Sequence, residues 1–413
     1  MALSDNDRSI LRDLAKRVRE AAELPVMAER RELWKQHNAL RPVRPMILVF
    51  PEGAWGELIT EEDMQCAGEE ARRIEWGLRA RLFYHKRLHD DTVIEPEWVV
   101  HKAVNDTGHG LAPRFVDSTE ERGAWGFDPV LRERSDLDKL SMPKVSHDEE
   151  ATNRAVEQAE ELLGDILPVR LKGVDRISFH PMAQLCKLRG LGQVMMDMAT
   201  APEFVHEAMS ILAEGHRRRV EQYVEQDLLD LNNDGTYHSS GGVGYTDEMP
   251  QDDYDGRVRP CDMWASAEAQ ELAQVSPAMH AEFALQYEKR LLEPFGLNGY
   301  GCCEDLTHKL DDVLTIPNIR RISISPFADV PACAEKLGGD YILSWKPHPA
   351  HLCGEFNPER IRAYIRDAVE AALANGCVLE MILKDTHTCE HHPERFTIWT
   401  QVAREVVEQQ KAI

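Results

Sequence analysis

Leu297-Asn298-Gly299-Tyr300-Gly301-Cys302-Cys303-Glu304 runs from a short apolar stretch into two thiols and a carboxylate, and a helix-like segment over 306–314 follows it. The same pattern then repeats. Arg321-Ile322-Ser323-Ile324-Ser325 precedes a helical stretch over 330–337. Tyr341-Ile342-Leu343-Ser344-Trp345 precedes one over 358–374, and the apolar run 378–383 precedes one over 393–409. Four consecutive strand–helix units demand a parallel sheet covered by helices. Earlier candidates, at 46–50, 166–173 and 228–234, bring the strand count near eight. The expected fold is therefore α/β, a (β/α)8 TIM barrel with a mostly helical N-terminal extension. An open doubly wound sheet is the alternative. No G-x-G-x-x-G or G-x-x-x-x-G-K-[ST] segment follows any strand, which weakens its nucleotide-binding versions.

Working outward, residues 1–150 read as an extension packed on the barrel and residues 151–413 as the barrel itself. The extension carries helical periodicity over 5–38 and 62–87 and one buried strand at 46–50. The stretch 266–292 reads as largely helical. Helices over 149–163 and 202–226 lead into the regular part.

The 413 residues carry a net charge of −24. Such a surface repels nucleic acid and anionic membranes. No apolar run approaches the ~20 residues of a membrane span. The first residues lack the charged-then-apolar pattern of a secretory signal, so a cytoplasmic protein is expected. The nine cysteines form no small-domain framework and no C-x-x-C pair, so reduced thiols are expected.

In a barrel the chemistry sits at the C-terminal ends of the strands. Those ends are polar here: Asn232-Asn233-Asp234, Cys302-Cys303-Glu304, Ser323 with Ser325, Trp345-Lys346, and Lys384-Asp385-Thr386-His387. A catalytic zinc takes three ligands from Cys, His and Asp/Glu and leaves one position open. Cys302 and Cys303, with Glu304, His238 and His387, are the candidate metal ligands. Strand alternation puts Cys302 and Glu304 on one face and turns Cys303 away, provided the strand continues that far. A cysteine nucleophile with His238, His348 or His387 as base is a second chemistry. Acid–base work by Glu52, Asp234 and Asp385 is a third. Lys346 and Lys384 suit an anionic substrate group.

Three stretches carry a family resemblance. Leu167-Pro168-Val169-Arg170 leads to His180-Pro181, Leu188-Arg189-Gly190 and Met198-Ala199-Thr200-Ala201-Pro202-Glu203-Phe204-Val205. The strand before Cys302-Cys303 is the second. Met381-Ile382-Leu383-Lys384-Asp385-Thr386 leading to His392-Pro393-Glu394-Arg395 is the third. Over residues 160–410 the chain resembles the uroporphyrinogen decarboxylase superfamily, closer to its zinc- and corrinoid-dependent methyltransferases than to its decarboxylases. The decarboxylases carry an Arg-rich N-terminal segment, where this chain has Met46 to Trp55 with Glu52. The methyltransferases hold zinc with His-x-Cys and a later Cys. Here Tyr300 stands at the His position, and Asp385-Thr386-His387 stands near the later Cys, with Cys389 beyond.

The resemblance implies transfer of a methyl group from a small methylated donor, for example a methoxylated aromatic (O-demethylation), to a corrinoid protein. Zinc would act as Lewis acid, and the cobalamin would be carried by a separate partner, since no Asp-x-His-x-x-Gly segment occurs. Self-association as a homodimer through the extension is considered with it. Two alternatives stand beside this reading. One is a metal-free decarboxylase or lyase using Asp234, Lys346 and Asp385. The other is a non-catalytic small-molecule-binding barrel.

Overall fold

The computed structural model describes residues 3–116, 126–238 and 241–410. Its centre is a seven-stranded, all-parallel sheet. In chain order the strands are β1 (Met46–Val49), β2 (Ser178–Phe179), β3 (Trp264–Ala267), β4 (Leu297–Tyr300), β5 (Ile319–Ile324), β6 (Ile342–Trp345) and β7 (Val378–Leu383). They lie side by side as β1-β7-β6-β5-β4-β3-β2. Each strand from β2 to β6 thus pairs with its successor in this numbering, and the first strand joins the last, Met46 opposite Glu380 through Val49 opposite Leu383.

Five of the seven strands are buried along their whole length, as strands covered on both faces must be. The covering helices are defined by their caps. Asp329 accepts from the Ala332 amide at the start of Val330–Leu337. Asn357 does the same for Arg360 at the start of Pro358–Ala374, where proline sits in the first turn. Pro358–Ala374 and Glu394–Gln410 pack on each other and on the sheet through Ile361, Ile365, Val369, Trp399, Val402 and Val406.

The winding is barrel-like, but among the described residues no ladder joins β1 to β2. The strand expected at 228–234 is reduced to a single bridge, Leu229 to Val174. Val169–Lys172 pairs instead with Trp98–His101 in a separate two-stranded ribbon. The stretch 266–292 begins with β3 and only then turns helical, from Pro277.

Inside the sheet lies a fully buried ion cluster. Arg321 of β5 sets its Nε 3.0 Å from Glu380 Oε1 of β7, and both side chains are completely buried. Arg321 Nη2 also donates to Asn38 Oδ1 at 2.6 Å. His37 Nε2 lies 3.1 Å from Glu380 Oε2. The helix Pro25–Asn38 is thereby pinned to the sheet. Gly242 (φ +65°) passes so close that a Cβ there would lie 2.5 Å from Arg321 Nη2. Only glycine fits both that conformation and that gap.

Burial pushes the Glu380 carboxyl up, but the Arg321 charge and the His37 contact outweigh it and hold the group at about 2, below its ordinary 4.5. Burial pulls Arg321 down, yet a guanidinium starts so far above neutrality that it stays charged. The linkage has one sign. A carboxylate with a depressed folded pKa stabilises the fold above its unfolded pKa, and that contribution is lost as pH falls through the folded value. Urea midpoints should therefore decline as pH falls from about 4.5 to about 2, and Glu380→Gln should flatten that decline.

Candidate active site

Every strand end on the carboxyl side of the sheet delivers a polar group. Glu52 follows β1, His180 follows β2 and Glu268 follows β3. Cys302 and Cys303 follow β4, Ser325 follows β5, Lys346 follows β6, and Lys384 with Asp385 follows β7. Parallel sheets of α/β enzymes keep their chemistry at this end.

The thiols are at the centre. β4 stops at Tyr300, and Gly301 turns the chain at φ +93°. A Cβ at Gly301 would lie 2.7 Å from Leu306 Cδ1 and 3.2 Å from Ser323 Cβ. Strand alternation therefore ends one residue before the thiols, and the expectation that Cys303 turns away from Cys302 does not hold. Their sulfurs are 3.6 Å apart. Three bonds fix this turn: Glu304 Oε2 accepts from the Cys302 amide at 2.8 Å, Ser323 Oγ donates to the Cys302 carbonyl at 2.8 Å, and Glu304 Oε1 reaches the Ala269 amide at 3.4 Å.

The two thiols are electrostatically unlike. The Cys303 hydrogen bond draws Cys302 below the ordinary thiol value. Burial opposes this and the Lys384 charge adds to it. Lys384 Nζ stands 3.9 Å from Cys302 Sγ. Cys303 is pushed up by the Cys302 sulfur and by burial, and its Sγ also lies 3.4 Å from Asp385 Oδ2. Cys302 is thus the more readily ionised of the two thiols, and Cys303, beside Asp385, the less readily ionised.

Lys346 is buried at the floor, with Nζ 3.3 Å from both the carbonyl and the hydroxyl of Ser344. Burial and then the Lys384 charge bring it down to about 7. Asp385, at φ +57°, donates its amide to Glu52 Oε2 at 2.6 Å, joining the two ends of the chain across β1 and β7. Burial raises the Glu52 carboxyl.

A second group stands on the β2–β3 side. His180 Nδ1 meets Glu268 Oε1 at 2.5 Å, and His180 Nε2 meets Ser178 Oγ at 2.7 Å. Ser266 Oγ continues the chain to Ser178 at 2.9 Å. Burial pulls the imidazole down, but the Glu268 bond outweighs it and leaves His180 above its ordinary 6.5. Negative charge on Cys302 acts on it in the same direction. This is an imidazole held by a carboxylate at one nitrogen and facing a hydroxyl at the other, with its protonated form favoured by the carboxylate.

The sequence-predicted residues are thus partly gathered. Cys302, Cys303, Lys346, Asp385 and Glu52 converge. Glu304 is spent on two backbone amides beneath Cys302. His238 is fully buried against Trp264 (ring centroids 5.2 Å), and its charged neighbours are Arg321, Asp234 and Lys172. His387 packs on Gly53. Asp234 is held by Lys172 Nζ at 2.8 Å and Arg170 Nη1 at 3.3 Å, in an ion cluster on the strand Val169–Lys172. Among the described residues no group of three or more His, Cys, Asp or Glu side chains is arranged to hold a metal ion. The expected zinc set is therefore not assembled: its five residues place two sulfurs together and scatter the other donors.

His180 and Glu268 were not among the predicted site residues. Both follow strands too short or too rich in small residues to show as strands. A cavity of about 1060 Å³ elsewhere, between the helices Asp5–Ala22, Glu69–Phe83 and Glu149–Leu163, contains none of these groups.

No family model matches the chain, and no curated protein matches it. Among solved structures it is similar to a methyltransferase from Methanosarcina mazei, with a TM-score of 0.49 and 13% identity over 91% of this chain and 97% of that one. A likeness that distant carries no argument about chemistry. No helix among the described residues is long and apolar enough to cross a membrane.

Proposed function

We propose that this protein is a methyltransferase of barrel architecture that takes a methyl group from a small methylated donor onto Cys302 and passes it to a separate acceptor. One observation carries the reading: a thiol held below its ordinary pKa by Cys303 and Lys384, half-buried at the mouth of a parallel sheet. A thiolate in that state is both a good nucleophile and a good leaving group. The resemblance of residues 160–410 supplies the reaction class. It also supplies the acceptor class, a reduced corrinoid on a partner protein docking at the strand-end rim.

In the first half-reaction Cys302 Sγ attacks the methyl carbon. The S–C bond forms as the donor's C–O or C–S bond breaks, and the electron pair leaves with the heteroatom. His180, held through Nδ1 by Glu268, supplies a proton to that heteroatom through the Ser178 hydroxyl. Lys346 and Lys384 orient an anionic group of the donor. In the second half-reaction the acceptor's nucleophile takes the methyl carbon, and the Cys302 thiolate departs toward Lys384 and the Cys303 thiol. Because the zinc donors do not converge, no step is routed through a metal.

Methyl-labelled methoxybenzoates, incubated with the protein without acceptor, should leave one labelled methyl group on the Cys302 peptide, read by mass spectrometry. Addition of a reduced corrinoid protein should discharge it. Turnover without label on Cys302 would overturn the covalent route. Glu268→Gln should slow the first half-reaction by about 10²–10⁴-fold and move the upper limb of its pH profile to lower pH, since His180 then loses its supporting carboxylate.

A further inference from the structure

Cys302 and Cys303 are neighbours in sequence and in space, and their turn is fixed before any ligand arrives. Their sulfurs lie 3.6 Å apart, the turn is held by Glu304 and Ser323, and both residues are partly exposed. Two thiols so placed have two fates. A disulfide between them is disfavoured, because consecutive Cα atoms stand about 3.8 Å apart and an unstrained disulfide spans about 4.4–6.8 Å. A single soft atom that binds both sulfurs meets no such obstacle and finds them already in place.

We propose that Cys302 and Cys303 form a preorganised dithiol clamp for one thiophilic atom, and that the ligand class it takes is the trivalent arsenicals. With an organoarsenic(III) oxide the step balances without redox change. Two As–S bonds form, the As–O bonds break, and both thiol protons leave with the oxygen as water. Cys302 enters first, and its proton goes to the arsenic-bound oxygen. Cys303 closes the ring as its proton passes by way of Asp385, 3.4 Å from its sulfur, to the departing oxygen, which leaves as water. The clamp rests on this geometry and not on methyl transfer. Occupation would block the proposed reaction by removing Cys302.

The reduced full-length protein is titrated with phenylarsine oxide. Remaining thiols are counted by a chromogenic disulfide reagent, and the arsenic-bearing peptide is located by mass spectrometry. The expected result is one arsenic per chain, two thiols lost together, and both Cys302 and Cys303 in the modified peptide. Release should follow a small dithiol and not a monothiol. Cys302→Ser and Cys303→Ser, each checked for folding by circular dichroism, should bind about 10²–10⁴-fold more weakly, the chelate advantage of a second tethered sulfur. One thiol lost per arsenic in the unaltered protein, or arsenic located at Cys261, Cys353 or another thiol, would overturn the clamp. That readout needs neither variant nor turnover, so it is independent of the proposed activity.

Discussion

Arg321→Met should lower the unfolding free energy by about 3–5 kcal/mol, the cost of leaving one partner of a buried ion pair uncompensated. Arg321 and Glu380 are completely buried and 3.0 Å apart. The guanidinium also donates to Asn38 and lies over the Trp264 ring at 4.9 Å. Truncation therefore strands a carboxylate between β5 and β7 and loosens the helix Pro25–Asn38 together. Urea unfolding at neutral pH checks the magnitude. The double variant Arg321→Met/Glu380→Met should recover most of the loss, because two apolar side chains leave no unpaired charge behind. If the single variant cost under about 1 kcal/mol, the value of an exposed pair, the cluster would not be the buried anchor described.

The second large effect falls on activity. Cys302→Ser should reduce methyl transfer by about 10³-fold or more, since a serine hydroxyl near neutrality offers neither the nucleophile nor the leaving group. The fold should tolerate the change, because the turn is held by the Cys302 amide and carbonyl and not by its sulfur. Cys303→Ala should have a smaller effect, slowing the reaction by withdrawing the hydrogen bond that eases ionisation of Cys302. Cys261→Ser, at a thiol outside the site, serves as the control and should leave the rate unchanged. Release of labelled methyl from the donor, followed against time, reads all three.

What was legible in the sequence follows from residue type. β5, β6 and β7 announce themselves through Ile322, Ile324, Ile342, Leu343 and the mostly apolar run 378–383, because strands buried on both faces are rich in apolar residues. β3 does not. Trp264-Ala265-Ser266-Ala267 has one large side chain and three small ones, and alanines next to a helical stretch read as helix. β2 is only two residues long. The polar ends of these two strands, Glu268 and His180, were missed for that reason.

The thiols illustrate the reverse case. Their place at a strand end was plain, but their orientation turned on Gly301. A glycine in a strand pattern is the mark of a sharp turn, and here it ends the alternation that would have parted the sulfurs. Lys346 and Asp385 were readable as strand-end groups in a βα alternation. The pairing of Asp385 with Glu52 was not, because it joins positions 333 residues apart. His238 and Glu304 were plausible donors by type. The fold uses one as a buried neighbour of Trp264 and the other as a backbone clamp, choices made by tertiary packing alone.

The central claim is that Cys302 is the activated thiol of a strand-end active site, and its alkylation rate as a function of pH tests that most directly. Iodoacetamide labelling, with the modified peptide identified by mass spectrometry, should show Cys302 reacting with a midpoint below the ordinary thiol value of 9.0. Cys303→Ala should move that midpoint upward, and Lys384→Met should do the same. A Cys302 midpoint at or above the ordinary value, unmoved by either substitution, would contradict the account.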